Sequence, residues 1–276
     1  MTDLRQRLVH ARRIAAEAGA VLLETWGRLD RLAVTKKGAV DLLTQADQAS
    51  EALITAQLQD LFPADAIVGE ESGASGAAAD DAPFTWVIDP LDGTTNYVHG
   101  CRHFAVSIGL LDHAGEPVAG AIHAPVYRET YFGEVGEGAW SETPGAGTEP
   151  RRLAISTRTD LGEALLATGF PYDRRRTAED LLKPVYRVLT QARGFRRMGA
   201  ASLDFVDVAR GAFDGFFEPR LAPWDMAAGS AIVRAAGGIV SAYGGAPFDV
   251  HGASVIASNP RLHASLVALV AGGEAG

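Results

Sequence analysis

Two carboxylates three residues apart, Asp89 and Asp92, stand in the stretch Trp86-Val87-Ile88-Asp89-Pro90-Leu91-Asp92-Gly93-Thr94-Thr95-Asn96. An apolar run that ends in acids, followed by glycine and hydroxyl residues, has the side chains that divalent-cation and phosphate chemistry require. Pro90 turns the chain and is expected to end the strand at Asp89. Gly93 permits backbone conformations or close approaches that a Cβ would block. Thr94, Thr95 and Asn96 can open a helix, whose free N–H groups and partial positive charge suit a phosphate. One short turn would then carry cation ligands and anion donors together. Asp, Gly and Thr are also ordinary turn and cap residues, so this stretch alone leaves a plain Asx-capped turn open.

Three further acidic stretches bear on that choice. Gly69-Glu70-Glu71-Ser72 follows the apolar run Ala66-Ile67-Val68, which places acids at a second strand end; a charged surface turn is the plain alternative. Asp225, in Trp224-Asp225-Met226-Ala227-Ala228-Gly229, precedes an apolar helix that Gly237-Gly238 stops. It reads as an N-cap with one carboxylate oxygen left for a metal. Asp41 and Asp47 flank the expected start of another helix, where Thr44-Gln45-Ala46-Asp47 resembles a capping box with Asp in place of the usual Glu. Glu70, Asp89, Asp92 and Asp225 would repel one another if brought together bare. Two like charges about 4 Å apart cost roughly 4 kcal/mol at an effective dielectric near 20. Divalent cations remove that conflict, and all-oxygen ligands select magnesium or manganese over zinc. The seven histidines are scattered, and the single cysteine, Cys101, permits no intrachain disulfide.

The elements that must position these residues follow from periodicity. Leu4, Leu8, Ala11, Ala15, Ala18 and Leu22 recur at helical spacing, and Ala49, Leu53, Ala56 and Leu58 give a second helix after Thr44 that ends near Pro63. Strands are expected at 66–68, 85–88, 104–111, 118–124 and 129–134, then at 164–168, 213–218, 239–241 and 254–257. Helices are expected at 177–192, 201–210, 225–236 and 260–270. Runs of strands rather than strict βα alternation favour an α+β layout over a parallel doubly wound sheet. Residues 73–82, rich in Gly and Ala, read as a mobile surface loop, and 142–150 as an exposed loop at a subdomain boundary. The whole chain, 1–276, is expected to be a single domain of two closely packed halves, about 1–145 and 146–276.

Net charge is −9, which argues against nucleic-acid or anionic-membrane binding. Arg174-Arg175-Arg176 is the local exception, read as a solvated loop with a substrate-attracting rim as the alternative. No run reaches the roughly 18 to 20 apolar residues of a membrane span, and the N-terminal segment does not resemble a signal peptide. A cytoplasmic location is the expectation.

The stretches GEES, WVIDPLDGTTN and PWDMAAG, in that order, resemble the inositol monophosphatase family. The likeness runs from Val40-Asp41-Leu42-Leu43-Thr44 to Ala257-Ser258-Asn259, and Gly169-Phe170-Pro171-Tyr172 and Gly215-Phe216-Phe217-Glu218 resemble its bacterial branch. The resemblance implies a layered α/β/α/β/α sandwich, a homodimer, and two to three Mg2+ ions per site. It implies Glu70, Asp89 and the Leu91 carbonyl as ligands of a first ion, with Asp89, Asp92 and Asp225 holding a second and Glu70 touching a third, weaker one. Phosphate would lie over Gly93 and Thr94, while Thr94 paired with Asp47 would orient and deprotonate the attacking water. Glu218 and Asp225 would line the substrate pocket, with Gly199, Ala200 and Ala201 as its wall. The implied activity is hydrolysis of a small phosphate monoester such as myo-inositol monophosphate, in line, without a phospho-enzyme and sensitive to lithium. Histidinol phosphate, a nucleotide 3′-phosphate and a sugar bisphosphate are the alternative substrates. A fold kept only for partner binding is disfavoured, because it has no chemical need for Asp47, Glu70, Asp89, Asp92, Thr94 and Asp225 together.

Overall fold

The computed structural model describes residues 3–29, 36–79, 81–252 and 254–272. Two long helices come first, α1 (Asp3–Leu29) and α2 (Lys36–Leu61), each longer than periodicity alone suggests. The strands β1 (Ala66–Gly69), β2 (Gly73–Gly76), β3 (Phe84–Asp92), β4 (Ala105–Asp112), β5 (Pro117–Ala124), β6 (Glu129–Glu134), β7 (Gly138–Glu142) and β8 (Arg151–Arg152) form one sheet, ordered β2-β1-β3-β4-β5-β6-β7-β8. A short helix, α3 (Thr94–Val98), interrupts it after β3. The second sheet contains β9 (Leu165–Thr168), β10 (Gly194–Arg196), β11 (Gly215–Pro219), β12 (Ile239–Ser241) and β13 (Ser254–Ser258), ordered β10-β9-β11-β13-β12. Between those strands run α4 (Arg174–Gln191), α5 (Ala201–Ala209) and α6 (Pro223–Ala235), and α7 (His263–Ala271) follows β13. Among the described residues, no helix is long and apolar enough to cross a membrane.

Alternation along the strands sorts these elements into layers. Ile88, Val106, Ile108 and Leu110 pack with Ile14, Leu22, Ile54 and Leu58 of α1 and α2 on the outer face of the first sheet. Val87, Ala105 and Ile122 point the other way and join Phe205, Val206, Met226 and Ile232 of α5 and α6. In the second sheet Ala167, Phe216, Val255 and Ala257 share that middle layer, whereas Leu166, Phe217 and Ile256 pack outward with Val188 of α4 and Leu266 and Leu269 of α7. The result is α/β/α/β/α, the expected sandwich, with the two sheets sorting their side chains to either face on a period of two.

The middle layer is unusually thin at one place. Gly109, Gly120 and Gly133 are direct cross-strand partners on β4, β5 and β6. A Cβ on Gly120 would lie 2.6 Å from the Ala228 backbone, and one on Gly109 would lie 2.5 Å from the Ala227 Cβ. This glycine row lets α6 lie directly on the sheet, and α6 carries Asp225 in its first turn. A Gly120→Ala protein should lose about 1–3 kcal/mol of stability by overpacking. It should lose activity beyond that, because the shift in α6 moves Asp225. Denaturant unfolding together with turnover of the still-folded fraction measures both.

Several sequence expectations are corrected here. Residues 73–76 are not a loop: β2 pairs antiparallel with β1, Ala66 opposite Gly76 and Gly69 opposite Gly73. Small residues without strand propensity are held there by the ladder rather than by their own preference. The segment after Glu142 is exposed as expected, and it links β7 to β8 at the edge of the first sheet. α2 begins at Lys36, so Thr44 and Asp47 are inside the helix and form no capping box. Asp41 lies within α2 as well, and its side chain falls outside the described residues. Arg174, Arg175 and Arg176 open α4 instead of forming a loop.

Candidate active site

The acidic turn is built by a defect in β3. Asp89 pairs with Ser107 and Asp92 with Ala105, so β3 has one residue more than β4 across this interval. β3 therefore continues to Asp92 and does not end at Asp89. On an unbroken strand residues three apart face opposite sides; one inserted residue returns Asp92 to the side of Asp89. The bulge is anchored from α2, where the Ser50 hydroxyl donates to the Pro90 carbonyl at 2.9 Å. Within it the Leu91 N–H donates to Asp89 Oδ1 at 2.9 Å. The parallel pairing of β1 with β3 sets Gly69 against Ile88, and the Glu70 N–H donates to the Ile88 carbonyl at 3.2 Å. Glu70 thus follows the ladder to the side of Asp89, close enough that the two carboxyl groups act on one another's titration. Glu51 of α2 holds this turn, accepting from the Glu71 and Ser72 N–H groups at 2.9 and 2.7 Å.

Gly93 has φ 89° and ψ 37°, the left-handed region. A Cβ there would also meet the His103 carbonyl at 3.0 Å and the Ala200 Cβ at 3.2 Å. Space and conformation both demand glycine. The Asn96 amide then ties α3 to the facing wall, donating to the His103 and Met198 carbonyls at 2.7 and 2.9 Å. From that wall Ser202 reaches Asp92 through its backbone N–H, 2.7 Å from Oδ2, and through its hydroxyl. Asp225 is not the N-cap. Pro223 opens α6 after Ala222, and Asp225 accepts the Ala222 N–H on Oδ2 at 2.7 Å from the helix's third position.

Asp89, Asp92 and Asp225 each bring a carboxylate oxygen to within 4.8 Å of the others. Burial raises all three, as it raises Glu70; neighbouring carboxylates add to the rise at Glu70, Asp89 and Asp225, whereas the hydrogen bonds from Ser202 oppose it at Asp92. Burial first, then the charges of Glu71, Glu70 and Glu51, pushes Asp47 up to about 8, and its Oδ1 has no hydrogen-bond partner. A crowded, buried, all-oxygen group with a free acceptor fits a hard divalent cation. Thr94 faces the same space, with the Tyr172 phenol beside its hydroxyl.

A cavity of about 260 Å³ adjoins this group, lined by Asp92, Gly93, Thr94, Gly199, Ala201 and Asp225, and also by Glu218 and Asp204. Glu218 shares the inward face of β11 with Phe216. Its carboxylate lies on Gly169, where a Cβ would come within 2.0 Å, and burial pushes it up to about 8. Of the three consecutive arginines only Arg174 reaches the cavity. Asp204, Arg197, Ser202 and Tyr172 were not among the expected residues. Asp204 had a visible signal, one of two acids set among the apolar residues of α5; the others had none.

The inositol monophosphatase family model matches residues 3–273. The chain belongs to the inositol monophosphatase family. It is accordingly a phosphoric monoester hydrolase. Inositol-1-monophosphatase of Synechocystis is 40% identical over 267 residues, covering 96% of this chain and 88% of the relative. The protein named Nus factor SuhB from Pseudomonas aeruginosa is also 40% identical over 267 residues, covering 94% of each chain. Among solved structures, inositol monophosphatase from Anabaena (Nostoc) superposes with a TM-score of 0.86 at 36% identity, over 99% of this chain and 98% of its own. The acidic stretches that carry the resemblance lie just after β1, in the β3 bulge and in the first turn of α6.

Proposed function

We propose that the protein hydrolyses a small phosphate monoester, myo-inositol monophosphate first, using magnesium held by its acidic group. The observation that carries this reading is the approach of Asp89, Asp92 and Asp225 beside the cavity, which Asp92 and Asp225 line. Glu70, Asp89 and the Leu91 carbonyl hold one ion, and Asp89, Asp92 and Asp225 hold a second, with Glu70 available to a weaker third. Bound magnesium supplies Lewis-acid stabilisation of the phosphoryl and leaving oxygens and acidifies water. Gly93 and Thr94 offer backbone N–H groups to the phosphate. Thr94 and Asp47 orient the attacking water, and Asp47 takes its proton. The water oxygen bonds to phosphorus in line with the breaking ester bond, and the alcohol leaves as a proton reaches its oxygen.

The cavity supports the choice of a small substrate. At about 260 Å³ it falls just below the roughly 300–1,000 Å³ of most ligand pockets. Phosphate release from myo-inositol 1-phosphate, histidinol phosphate, fructose 1,6-bisphosphate and adenosine 3′,5′-bisphosphate tests this, with magnesium, chelator or lithium. Preference for the inositol ester, lost with chelator and reduced by lithium, supports the reading; preference for another ester replaces the substrate and keeps the chemistry. Glu218→Gln should lower kcat/KM for the inositol ester on the order of tenfold more than for p-nitrophenyl phosphate. Its magnesium requirement should stay as in wild type. An equal loss on both esters would argue against a role in reading the alcohol.

The expected homodimer has a candidate surface on α4. Leu182, Tyr186 and Leu189 are 53, 70 and 62% exposed at helical spacing on one face. Sedimentation of the wild type and of a Tyr186→Glu protein tests it; equal mass for both would exclude that face. Relatives named Nus factor SuhB carry a second reading, a binding role beside hydrolysis. Such a role needs the surface rather than the metal residues, and would survive Asp89→Asn.

A further inference from the structure

The residues above account for the phosphate end of the cavity. Its other wall is α5, all nine residues of which are buried. Two of them are carboxylates one turn apart, with opposite surroundings. Asp207 accepts from Arg210 Nε at 2.6 Å. Asp204 is 1% exposed, lines the cavity, and its Oδ1 has no hydrogen-bond partner. The nearby cation, Arg197, acts on Asp204 and Glu218 alike, and its guanidinium lies over Gly199 at the exposed edge. A buried polar atom left unpaired weakens the folded state. On a cavity wall such a carboxyl group is paired by whatever fills the cavity, water in the free protein and the ligand when one binds.

The chemistry of the partner follows from the wall. An anion would meet two acids, Asp204 and Glu218. An apolar group would leave Asp204 as it is. A hydroxyl both donates and accepts, so it suits a carboxyl group in either protonation state. We propose that Asp204 is a specificity-determining residue that bonds a hydroxyl of the substrate's alcohol part, beside a second hydroxyl read by Glu218. The pair then selects polyol phosphates carrying neighbouring hydroxyls. This rests on the phosphatase reading of the acidic group and on Glu218 facing the alcohol.

The test uses the full chain with magnesium and measures kcat/KM for myo-inositol 1-phosphate, glycerol 2-phosphate and p-nitrophenyl phosphate, the last with no hydroxyl on its alcohol part. In Asp204→Ala the ratio of either hydroxylated ester to p-nitrophenyl phosphate should fall roughly 10- to 100-fold, chiefly through KM. Asp204→Asn, which keeps the shape and one acceptor, should fall less and secures the result if the alanine protein does not fold. Both should melt no lower than wild type, since an unpaired buried acid has been removed. An unchanged ratio, or an equal loss on all three esters with a lowered melting temperature, overturns the proposal and makes Asp204 structural. A wild type that prefers glycerol 2-phosphate removes inositol from the preceding reading and leaves Asp204 tested on the glycerol ester. No hydrolysis of any ester overturns both.

Discussion

Asp89→Asn should abolish turnover in a protein that still folds. Asp89 is 2% exposed in the β3 bulge, and its Oδ1 accepts the Leu91 N–H. An asparagine side chain has the same shape and can keep that bond. It removes the negative charge that Asp89 contributes beside Glu70, Asp92 and Asp225. If those groups hold magnesium against the phosphate, kcat should fall on the order of 10³-fold or more. The stability effect has the opposite sign. Without metal, the neighbouring carboxylates lose a like charge, so the variant should melt higher than wild type in chelator. It should also gain less on adding magnesium. Phosphate release and melting temperature, each with and without magnesium, check the two halves. Near-normal turnover by folded Asp89→Asn would sink the metal assignment.

The second large effect is on stability against pH. Carboxylates in an unfolded chain titrate at about 3.9 to 4.3. In the folded, metal-free protein burial holds Asp47 near 8 and raises Glu70, Asp89, Asp92 and Asp225. Groups raised on folding contribute stability that is complete below their unfolded values and is lost as pH climbs through the folded ones. For Asp47 that window runs from about 4 to about 8. Each pH unit within the window costs about 1.4 kcal/mol per group. The chelated protein should therefore melt lower at about pH 8.5 than at about pH 6, by an amount on the order of several kcal/mol for the interacting set. Magnesium binds the ionised carboxylates, so its stabilising effect should grow over the same range. A metal-free melting temperature that rises with pH would contradict the burial of this acidic group.

What was legible in the chain was local. Turn chemistry around Asp89-Pro90-Leu91-Asp92-Gly93 and the acids that follow the apolar runs 66–68 and 86–88 act over a few residues. These features pointed to the acids and to Gly93, runs of strands pointed to an α+β fold, and the family resemblance added its layering and Glu218. Tertiary contacts decided the rest. Pairing with β4 sets the bulge that turns Asp89 and Asp92 to one side. Ser202 reaches Asp92 across 110 positions of sequence. A row of glycines on three strands sets how near α6 brings Asp225. β2 is a strand because β1 offers an edge, and Asp204 lacks a partner because no element brings one to its Oδ1. Turn, cap and periodicity preferences span only a few neighbours, whereas the facing of a carboxylate depends on which distant backbone lies against it. The residue types and their order came from the sequence; their convergence on one cavity came from packing.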